Sequence, residues 1–482
     1  MATDGKQAAT GRERLSLGTK LVYGAGDWGM ASYNTLRQIF YAIFLTDVVG
    51  LDPRLASAAV FVGILWDAIN DPLVGMLSDR LHTRWGRRRP FFLFFAVPFG
   101  LCFLLLLWAP PWQSQLALMA TITLAFMISD TLQTLVVVPF LSLTPELTAD
   151  YDERTSLTSF RMFFNLLASL ITAAAAPEIL QAMLAQCATQ QQAYLLIGAL
   201  FGGLAMLPFL ALFFFLRERT RPETAKGEEA SLRETIRTAW GNVPFRFATA
   251  LNVLDWATLD LISLMFPFFL TYWIAQGNLL AKANIFGARL ALQSAVLGIL
   301  FIVAMICLPL WVWLARRLGK RNAFILGMAA WGIVQFAMFW VQPGQMGLIL
   351  GLTVLAGVAV SSAHVLPDAI FPDVVEWDEL RTRRRHEGIY YGIKNFSRKL
   401  TGAFAIFIAL QALGWFGYQA PPAGALQFSQ PASAVTAIRA LTGPIGALLM
   451  LAAIAVAWFY PITRARHGRI RSLLARRQSR DL

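Results

Sequence analysis

Twelve long apolar runs, separated alternately by basic and by nearly uncharged loops, are the feature that most constrains how this chain can fold. About 20 apolar residues cross a bilayer as one helix, so each run predicts one membrane-spanning helix. A soluble domain cannot bury so many runs of this length, and the sequence therefore predicts an all-α membrane protein with twelve transmembrane helices. The runs lie at residues 19–46, 55–79, 90–109, 115–143, 156–177, 193–216, 246–275, 288–315, 322–341, 346–371, 388–414 and 436–460.

Lysine and arginine are concentrated in alternate loops, which predicts the orientation of the chain. The remaining loops carry almost none, with Arg54 and Lys282 as exceptions. By the positive-inside rule we expect a multi-pass protein of the cell (inner) membrane with both termini in the cytoplasm. This clustering also argues against nucleic-acid binding, despite the net charge of +13. The basic segments are the N-terminal tail, residues 80–89, 150–154, 217–237, 316–321 and 381–385, and the tail from residue 464.

A long polar stretch near the middle divides the chain into two halves. Short basic turns that contain a glycine, DRLHTRWGRRRP and ARRLGKRN, follow runs 2 and 8. Such a parallel repeat is expected of a major facilitator fold with two six-helix bundles. We predict a cytoplasmic N-terminal tail (1–18), a first bundle (19–216), a cytoplasmic linker (217–245), a second bundle (246–460) and a basic cytoplasmic tail (461–482).

The motifs of energy-coupled and hydrolytic enzymes are missing from the sequence. It contains no phosphate-binding GxxxxGK[ST] motif, no nucleophile elbow and no HExxH motif. We therefore expect a transporter rather than an enzyme, with no cofactor other than a coupling cation. A sensor that binds a solute without moving it is an alternative of a different class.

Acidic residues inside run 2 are the clearest candidates for function, because an ionisable group at membrane depth is energetically costly. In WDAINDP, Asp67, Asn70 and Asp71 are spaced i, i+3 and i+4 and share one helix face. Two carboxylates and an amide oxygen are hard ligands suited to Na⁺, and a shared proton is the other way to relieve their repulsion. The third possibility is a structural ion pair with a basic residue of a neighbouring run. We favour cation binding, with Na⁺ or H⁺ as the coupling ion.

Basic residues of runs 5 and 11 are candidates for substrate contact. Asn395 and Lys399 are spaced i, i+4, and Lys394 and Arg398 are spaced likewise on an adjacent face. For Arg161 and Lys399 we favour a substrate or gating contact over a structural ion pair. For Lys394 and Arg398 the structural ion pair is favoured.

Other ionisable residues of the runs are harder to interpret. Asp27 lies among three glycines in YGAGDWG, and helix packing explains the glycines but not the carboxylate. We therefore treat Asp27 as a substrate-binding candidate. His364 and Asp368 are spaced i, i+4 and could form a proton-sensitive pair, although a structural histidine is favoured. No role is assigned to Asp130, Asp255 and Asp260.

Several motifs resemble those of the glycoside–pentoside–hexuronide:cation symporters of the major facilitator superfamily. The resemblance extends over about residues 20–460, and the WDAINDP segment and the segment joining runs 4 and 5 are specific to that family. The segments that carry it are FLTDVVG, WDAINDPLVGMLSDR, RWGRRRP, VPFLSLTPELTADYDERTSLTSFR, LPDAIFPDVVEWDEL and EGIYYGIKNFSRK.

The resemblance implies roles for particular residues. Asp67, Asn70 and Asp71 match the cation site of the family, and Thr134 matches a fourth ligand position for Na⁺. Arg161 and Lys399 match basic positions of the substrate site. The chain departs from the family where the melibiose carrier uses two carboxylates and a tryptophan for its sugar, because these positions hold Ala31, Val137 and Leu141.

A site that keeps two basic residues and loses two carboxylates is more positive, and this indicates an anionic substrate such as a hexuronide. The chain also resembles sodium-dependent lysophosphatidylcholine transporters, so a lysolipid is the alternative substrate. The expected partners are a small-molecule substrate and membrane lipid, and the protein is expected to be a monomer.

A gate is expected at the cytoplasmic side. The basic turn at residues 84–89 would contact acidic residues there and hold the outward-facing state closed on the inside. The residues predicted to form this gate are Asp79, Arg88 and Glu146.

Overall fold

The computed structural model describes residues 15–481, except residues 82, 149–150, 187–188, 217–238, 286 and 383–386. Most of the predicted N-terminal tail and of the predicted linker lies outside this part of the chain. Within it, thirteen long helices follow one another, and two short helices, Tyr41–Ile43 and Thr144–Leu147, lie between them. The long helices are α1 (Leu17–Thr35), α2 (Pro53–Arg80), α3 (Arg89–Leu106), α4 (Gln115–Ser142), α5 (Tyr151–Ala185), α6 (Gln190–Phe215), α7 (Val243–Phe268), α8 (Leu292–Leu318), α9 (Lys320–Met338), α10 (Met346–Thr382), α11 (Glu387–Trp415), α12 (Ala432–Trp458) and α13 (Arg464–Asp481).

The helices α1 to α12 occupy the positions of the twelve predicted runs. Ten of the described helices are long and apolar enough to cross a membrane by length and composition. The two others among the twelve are α1, which contains Lys20 and Asp27, and α9, which has 19 residues and begins with Lys320 and Arg321. Each packs against apolar neighbours of its own half.

Helices of the same half pack extensively against one another, with α1 on α5, α3 on α6, α8 on α10 and α9 on α12. The contact of α3 with α6 is close because glycines face each other there. A Cβ atom added to Gly100 would lie 2.9 Å from the carbonyl oxygen of Gly202. The two halves meet where α2 packs on α11 and α5 packs on α8.

Four π-helical segments interrupt the regular helices. Leu36–Phe40 and Phe44–Val48 extend α1, Phe269–Ile274 extends α7, and Leu441–Ile445 lies inside α12. The periodicity of apolar residues did not predict them. A π-helical turn rotates the following residues relative to the preceding helix, so side chains beyond it take a new direction.

A small β-hairpin is present in addition to the predicted helices. Strands β1 (Lys282–Ile285) and β2 (Ala288–Ala291) pair antiparallel between α7 and α8. Gly287 in the turn has φ 90°, a conformation that glycine adopts readily. The run predicted from residue 288 therefore begins as a strand, and α8 starts only at Leu292.

Two helices and the C-terminal tail extend the structure beyond the predicted runs. Helices α5 and α10 contain 35 and 37 residues, more than a bilayer requires. Helix α13 lies within the predicted basic tail and contacts α10, where His467 Nε2 is 2.8 Å from Glu376 Oε2. We call the side of the bundle that carries α13 and the loop at residues 81–88 the basic end.

Candidate functional site

The acidic residues of α2 lie between the two halves, where Lys399 of α11 contacts both of them. The Lys399 Nζ atom is 2.8 Å from Asp67 Oδ2 and 2.5 Å from Asp71 Oδ2. One ammonium group reaches both carboxylates because residues four apart lie one above the other on a helix. The three side chains therefore form an ion cluster that joins α2 to α11.

Thr134 and Asn70 lie beside this ion cluster. Thr134 Oγ1 donates a hydrogen bond to Asp71 Oδ1 over 3.2 Å. Asn70 is buried, and its Nδ2 atom has no hydrogen-bond partner among the described residues. The four residues predicted to bind a cation thus lie on α2 and on α4, which packs against it. Their carboxylate, amide and hydroxyl oxygens are hard ligands of the kind that small cations prefer.

A second ion pair adjoins the cluster and includes Asp130, to which the sequence assigned no role. Arg37 Nη1 is 3.3 Å from Asp130 Oδ1. The guanidinium group also lies 5.6 Å from the ring centre of Phe126. Asp130 is buried and interacts electrostatically with Asp67. The network therefore extends from α11 through α2 to α4 and α1.

A cavity of about 150 Å³ lies next to this network, between the two halves. Across it, Gln38 Nε2 donates a hydrogen bond of 2.6 Å to Asp260 Oδ1. The Arg398 guanidinium carbon lies 3.7 Å from the ring centre of Trp256. The polar part of the lining consists of Asn34, Arg37, Gln38, Asp67, Asp260, Arg398 and Lys399.

Asp27 and Arg161, both predicted to bind substrate, contact each other. Arg161 Nε is 3.0 Å from Asp27 Oδ2, and Arg161 Nη2 is 3.3 Å from Asp27 Oδ1. Asp27 is fully buried, and the guanidinium group lies over the Phe140 ring. The pair joins α1 to α5 within the first half and is not part of the lining of the interface cavity.

The remaining candidates on α10 and α11 lie apart from the ion cluster. Lys394 pairs with Asp368, whose side chain is 63% exposed. The His364 ring lies edge-on to Trp256, with 6.3 Å between ring centres. Asn395 is exposed and has no side-chain hydrogen bond within the described part of the chain. The structure therefore does not place Asn395 beside Lys399 in the cluster.

The halves are joined by a cluster of hydroxyl and carboxylate groups at the end opposite the basic end. Asp47 accepts a hydrogen bond of 2.5 Å from the Tyr418 hydroxyl and another from the Tyr272 hydroxyl. Nearby, Gln181 Nε2 donates to the carbonyl oxygens of Leu279 and Ala281 at 2.8 and 3.1 Å. The described hydrogen bonds between the halves thus lie at this end and at the level of the cavity.

The predicted gate lies at the basic end, and its described contacts remain inside the first half. Arg88 Nε is 3.2 Å from Glu146 Oε1, and Arg88 also donates to Ser78. The side chain of Asp79 is not among those that the structure describes. The role of these residues as a gate stays a prediction.

The contacts around Asp47 predict which substitutions weaken the association of the two halves at the end opposite the basic end. Tyr418→Phe and Tyr272→Phe each remove one hydrogen bond to a carboxylate, a loss of about 1.5–3 kcal/mol per bond. We expect faster labelling of a cysteine introduced at Ala283, which is 1% exposed, in either variant than in the unmodified background. Tyr33→Phe is the control, because the buried Tyr33 hydroxyl has no hydrogen-bond partner among the described residues. Equal labelling of all variants would show that the hydrogen bonds to Asp47 do not hold the two halves together at this end.

Sequence reasoning missed the residues that close this end. Asp47 stands in the FLTDVVG segment, so a signal for that residue was present. Tyr272 and Tyr418 carried none, since tyrosines near the ends of apolar runs are typical of the membrane interface. Their pairing depends on the π-helical segments of α1 and α7, which have no clear signature in the sequence.

Comparison with known proteins places these features in context. The sequence model of a family described as MFS/sugar transport protein matches residues 22–464. A Synechocystis protein described as an uncharacterized symporter is 31% identical, over 97% of this chain and 98% of its own. The sodium-dependent lysophosphatidylcholine symporter 1 of Gallus gallus is 27% identical, over 94% and 88% respectively. The isoprimeverose transporter of Lactiplantibacillus pentosus is 26% identical, over 84% and 82%.

Solved structures share the fold. The D-xylose-proton symporter superposes with a TM-score of 0.61 at 14% identity, over 92% of this chain and 97% of that one. A bacterial homolog of the lysosomal transporter Spinster, in an inward-facing and unoccupied conformation, gives 0.63 at 12% identity, over 92% and 95%. These matches confirm the predicted major facilitator fold.

Proposed function

The chain belongs to the MFS/sugar transport family of transporters, and from this we propose that it is a cation-coupled symporter for a glycoside-type solute. The solute is anionic, such as a hexuronide, and it crosses by alternating access between the two halves. The observation that carries this proposal is the ion cluster of Asp67, Asp71 and Lys399, which lies beside a cavity at the interface of the halves.

The coupling cation is Na⁺, bound by Asp67, Asn70, Asp71 and Thr134, with H⁺ as the alternative. Lys399 places one positive charge between two carboxylates that would otherwise repel each other. A sodium ion at the same oxygens would supply that charge instead. Sodium and the Lys399 ammonium group therefore compete for one set of ligands.

This competition provides a route for coupling. Sodium binding releases Lys399 from the carboxylates, and the free ammonium group is then available to an anionic solute in the adjoining cavity. Each ligand raises the affinity for the other, by a coupling free energy that is typically about 1–3 kcal/mol and must be reciprocal. Asp27, Arg161 and Asn395 are proposed as further substrate contacts.

The size and polarity of the cavity favour a small polar solute. Its volume of about 150 Å³ is below that of a site for a large ligand. Arg37, Arg398 and Lys399 supply positive charge to the lining. Asp67 and Asp260 are the acidic residues of the lining, so its basic residues outnumber its acidic ones by one.

The basic end is proposed to face the cytoplasm, with both termini there and the protein in the cell (inner) membrane. In that orientation the contacts around Asp47 close the outer side. The cytoplasmic gate of Asp79, Arg88 and Glu146 would act in the outward-facing state. The protein is proposed to work as a monomer, surrounded by membrane lipid.

Transport of a lysophospholipid is the second candidate function. It is favoured by the similarity to the sodium-dependent lysophosphatidylcholine symporter of Gallus gallus over nearly the whole chain. Apolar side chains beside Arg161 are also exposed, with Met162 at 46% and Phe163 at 56%. These could accept an acyl chain.

Uptake into proteoliposomes tests both functions. We expect an inward Na⁺ gradient, but not a choline gradient, to drive uptake of a labelled glucuronide, and Asp71→Asn to abolish this dependence. A neutral glycoside of equal size and a labelled lysophosphatidylcholine are the matched solutes. Uptake of the neutral glycoside but not of the glucuronide would contradict the anionic substrate, and sodium-driven movement of the lysolipid alone would establish the second function.

A further inference from the structure

Arg398 of α11 makes no ion pair and no hydrogen bond within the described part of the chain, and its Nε atom is buried without a partner. Four other basic residues of the long helices each have a carboxylate partner, namely Arg37, Arg161, Lys394 and Lys399. The structural ion pair expected for Arg398 is therefore absent among these residues. Its side chain instead lines the cavity between the halves.

Trp256 of α7 holds the guanidinium group of Arg398 by its flat face. The guanidinium carbon lies 3.7 Å from the centre of the tryptophan ring, so the guanidinium plane rests against the ring. A stacked cation interacts through its face, whereas the N–H donors of a guanidinium group point outward within its plane. The stack therefore orients the guanidinium group and leaves its edge able to donate hydrogen bonds.

Asp260 lies one helical turn from Trp256 on α7 and supplies a carboxylate to the same cavity. It is the acidic residue that acts most strongly on Arg398, yet no ion pair between the two is described. One carboxylate oxygen, Oδ1, accepts the hydrogen bond from Gln38. The other, Oδ2, lies against Gly402, where an added Cβ atom would be only 2.6 Å away. The glycine thus leaves room for the carboxylate beside the guanidinium group.

We propose that Arg398 and Asp260 form the subsite that recognises a sugar acid, an inference that rests on the proposed symport of an anionic glycoside. The edge of the Arg398 guanidinium group binds the carboxylate of the solute through two parallel N–H···O bonds. The Asp260 carboxylate accepts hydrogen bonds from the hydroxyl groups of the same solute. A guanidinium group and a carboxylate that do not pair with each other fit a solute that carries both an anion and hydroxyl donors.

The subsite differs from Lys399 in its dependence on sodium. Lys399 is held by Asp67 and Asp71 until a cation replaces it, whereas Arg398 has no described partner to leave. The anion subsite is therefore present in the empty carrier, and sodium adds the Lys399 ammonium group to it. Replacing Arg398 should weaken binding of the anionic solute and keep its dependence on sodium.

Two methyl glycosides separate recognition of the carboxylate from recognition of the hydroxyl groups. Methyl β-D-glucuronide carries a carboxylate where methyl β-D-glucoside carries a hydroxymethyl group. Thermal unfolding of the purified full chain at constant Na⁺ concentration measures the affinity for each. We expect Arg398→Met to weaken glucuronide binding by about tenfold or more and to change glucoside binding by less than about twofold. Asp260→Asn should weaken the binding of both glycosides.

Lys394→Met is the matched control, because Lys394 is a basic residue of the same helix that does not line the cavity. It should leave both affinities unchanged. Arg398→Lys keeps the charge but loses the planar pair of donors, so its glucuronide affinity should lie between those of the wild type and Arg398→Met. Equal glucuronide affinity in Arg398→Met and Lys394→Met would overturn the subsite. Equal losses for both glycosides in Arg398→Met, or no stabilisation of the wild type by the glucuronide, would overturn it as well.

Sodium-driven uptake into proteoliposomes distinguishes failure of this subsite from failure of the proposed function. If Arg398→Met took up the glucuronide with an unchanged KM, the symport function would stand and the subsite would be wrong. If glucuronide binding depended on Arg398 but no Na⁺ gradient drove uptake, the subsite would stand and the symport function would be wrong.

Discussion

Replacing Lys399 by methionine is expected to destabilise the protein strongly in sodium-free buffer and to make its stability depend on NaCl. Without the ammonium group, Asp67 and Asp71 face each other uncompensated at the interface of the halves. Removing one partner from a buried ion pair costs about 3–5 kcal/mol, and we expect the lower end because Asp71 is 38% exposed. Thermal unfolding in NaCl, compared with choline chloride, measures the effect.

Sodium should restore much of the lost stability, because in the variant it no longer competes with an ammonium group. Lys394→Met is the control on the same helix. Its partner Asp368 is largely exposed, so water can solvate that carboxylate after the substitution. If NaCl stabilised Lys399→Met no more than Lys394→Met, which keeps Lys399 as a competitor, the α2 carboxylates would not form a sodium site.

Arg161→Met is expected to have a similarly large effect on stability, about 3–5 kcal/mol, because Asp27 is fully buried and would lose both of its charged hydrogen bonds. The double variant Asp27→Leu/Arg161→Met removes both charges and should recover most of that stability. Thermal unfolding of the two single variants and of the double variant measures the coupling between the residues.

Transport by the double variant separates the two interpretations of Arg161. If Arg161 binds the substrate, the double variant should be stable but inactive in uptake. Full uptake would instead identify the Asp27–Arg161 pair as purely structural. Arg54→Met serves as the reference, because the pair of Arg54 with Asp52 is exposed and its loss should change neither property measurably.

The sequence predicted the helical architecture well because each membrane crossing needs its own apolar run. It also predicted that Asp67, Asn70 and Asp71 share a face, since helical spacing determines this directly. The assignment of Thr134 depended on resemblance to a family rather than on spacing. In the structure its hydroxyl donates a hydrogen bond to Asp71, and its role as a cation ligand stays a prediction.

What the sequence could not predict are the contacts between residues far apart in the chain. Lys399 and Asp71 are separated by 328 positions, and nothing in either segment indicates that they pair. The same holds for Asp47 with Tyr418, which are separated by 371 positions. Such contacts depend on how two bundles meet, and on π-helical turns that redirect side chains.

The ion network between the halves has an electrical consequence. With all groups ionised, the carboxylates of Asp67, Asp71 and Asp130 outnumber the cations of Lys399 and Arg37 by one negative charge. The empty carrier would then move one negative charge when it reorients, and the carrier loaded with one sodium ion and one singly charged anion would also move one. A membrane voltage acts on one transferred charge with about 2.3 kcal/mol per 100 mV. An inside-negative potential would therefore favour the return of the empty carrier to the outside and oppose the inward movement of the loaded carrier, so that one complete cycle transfers no net charge.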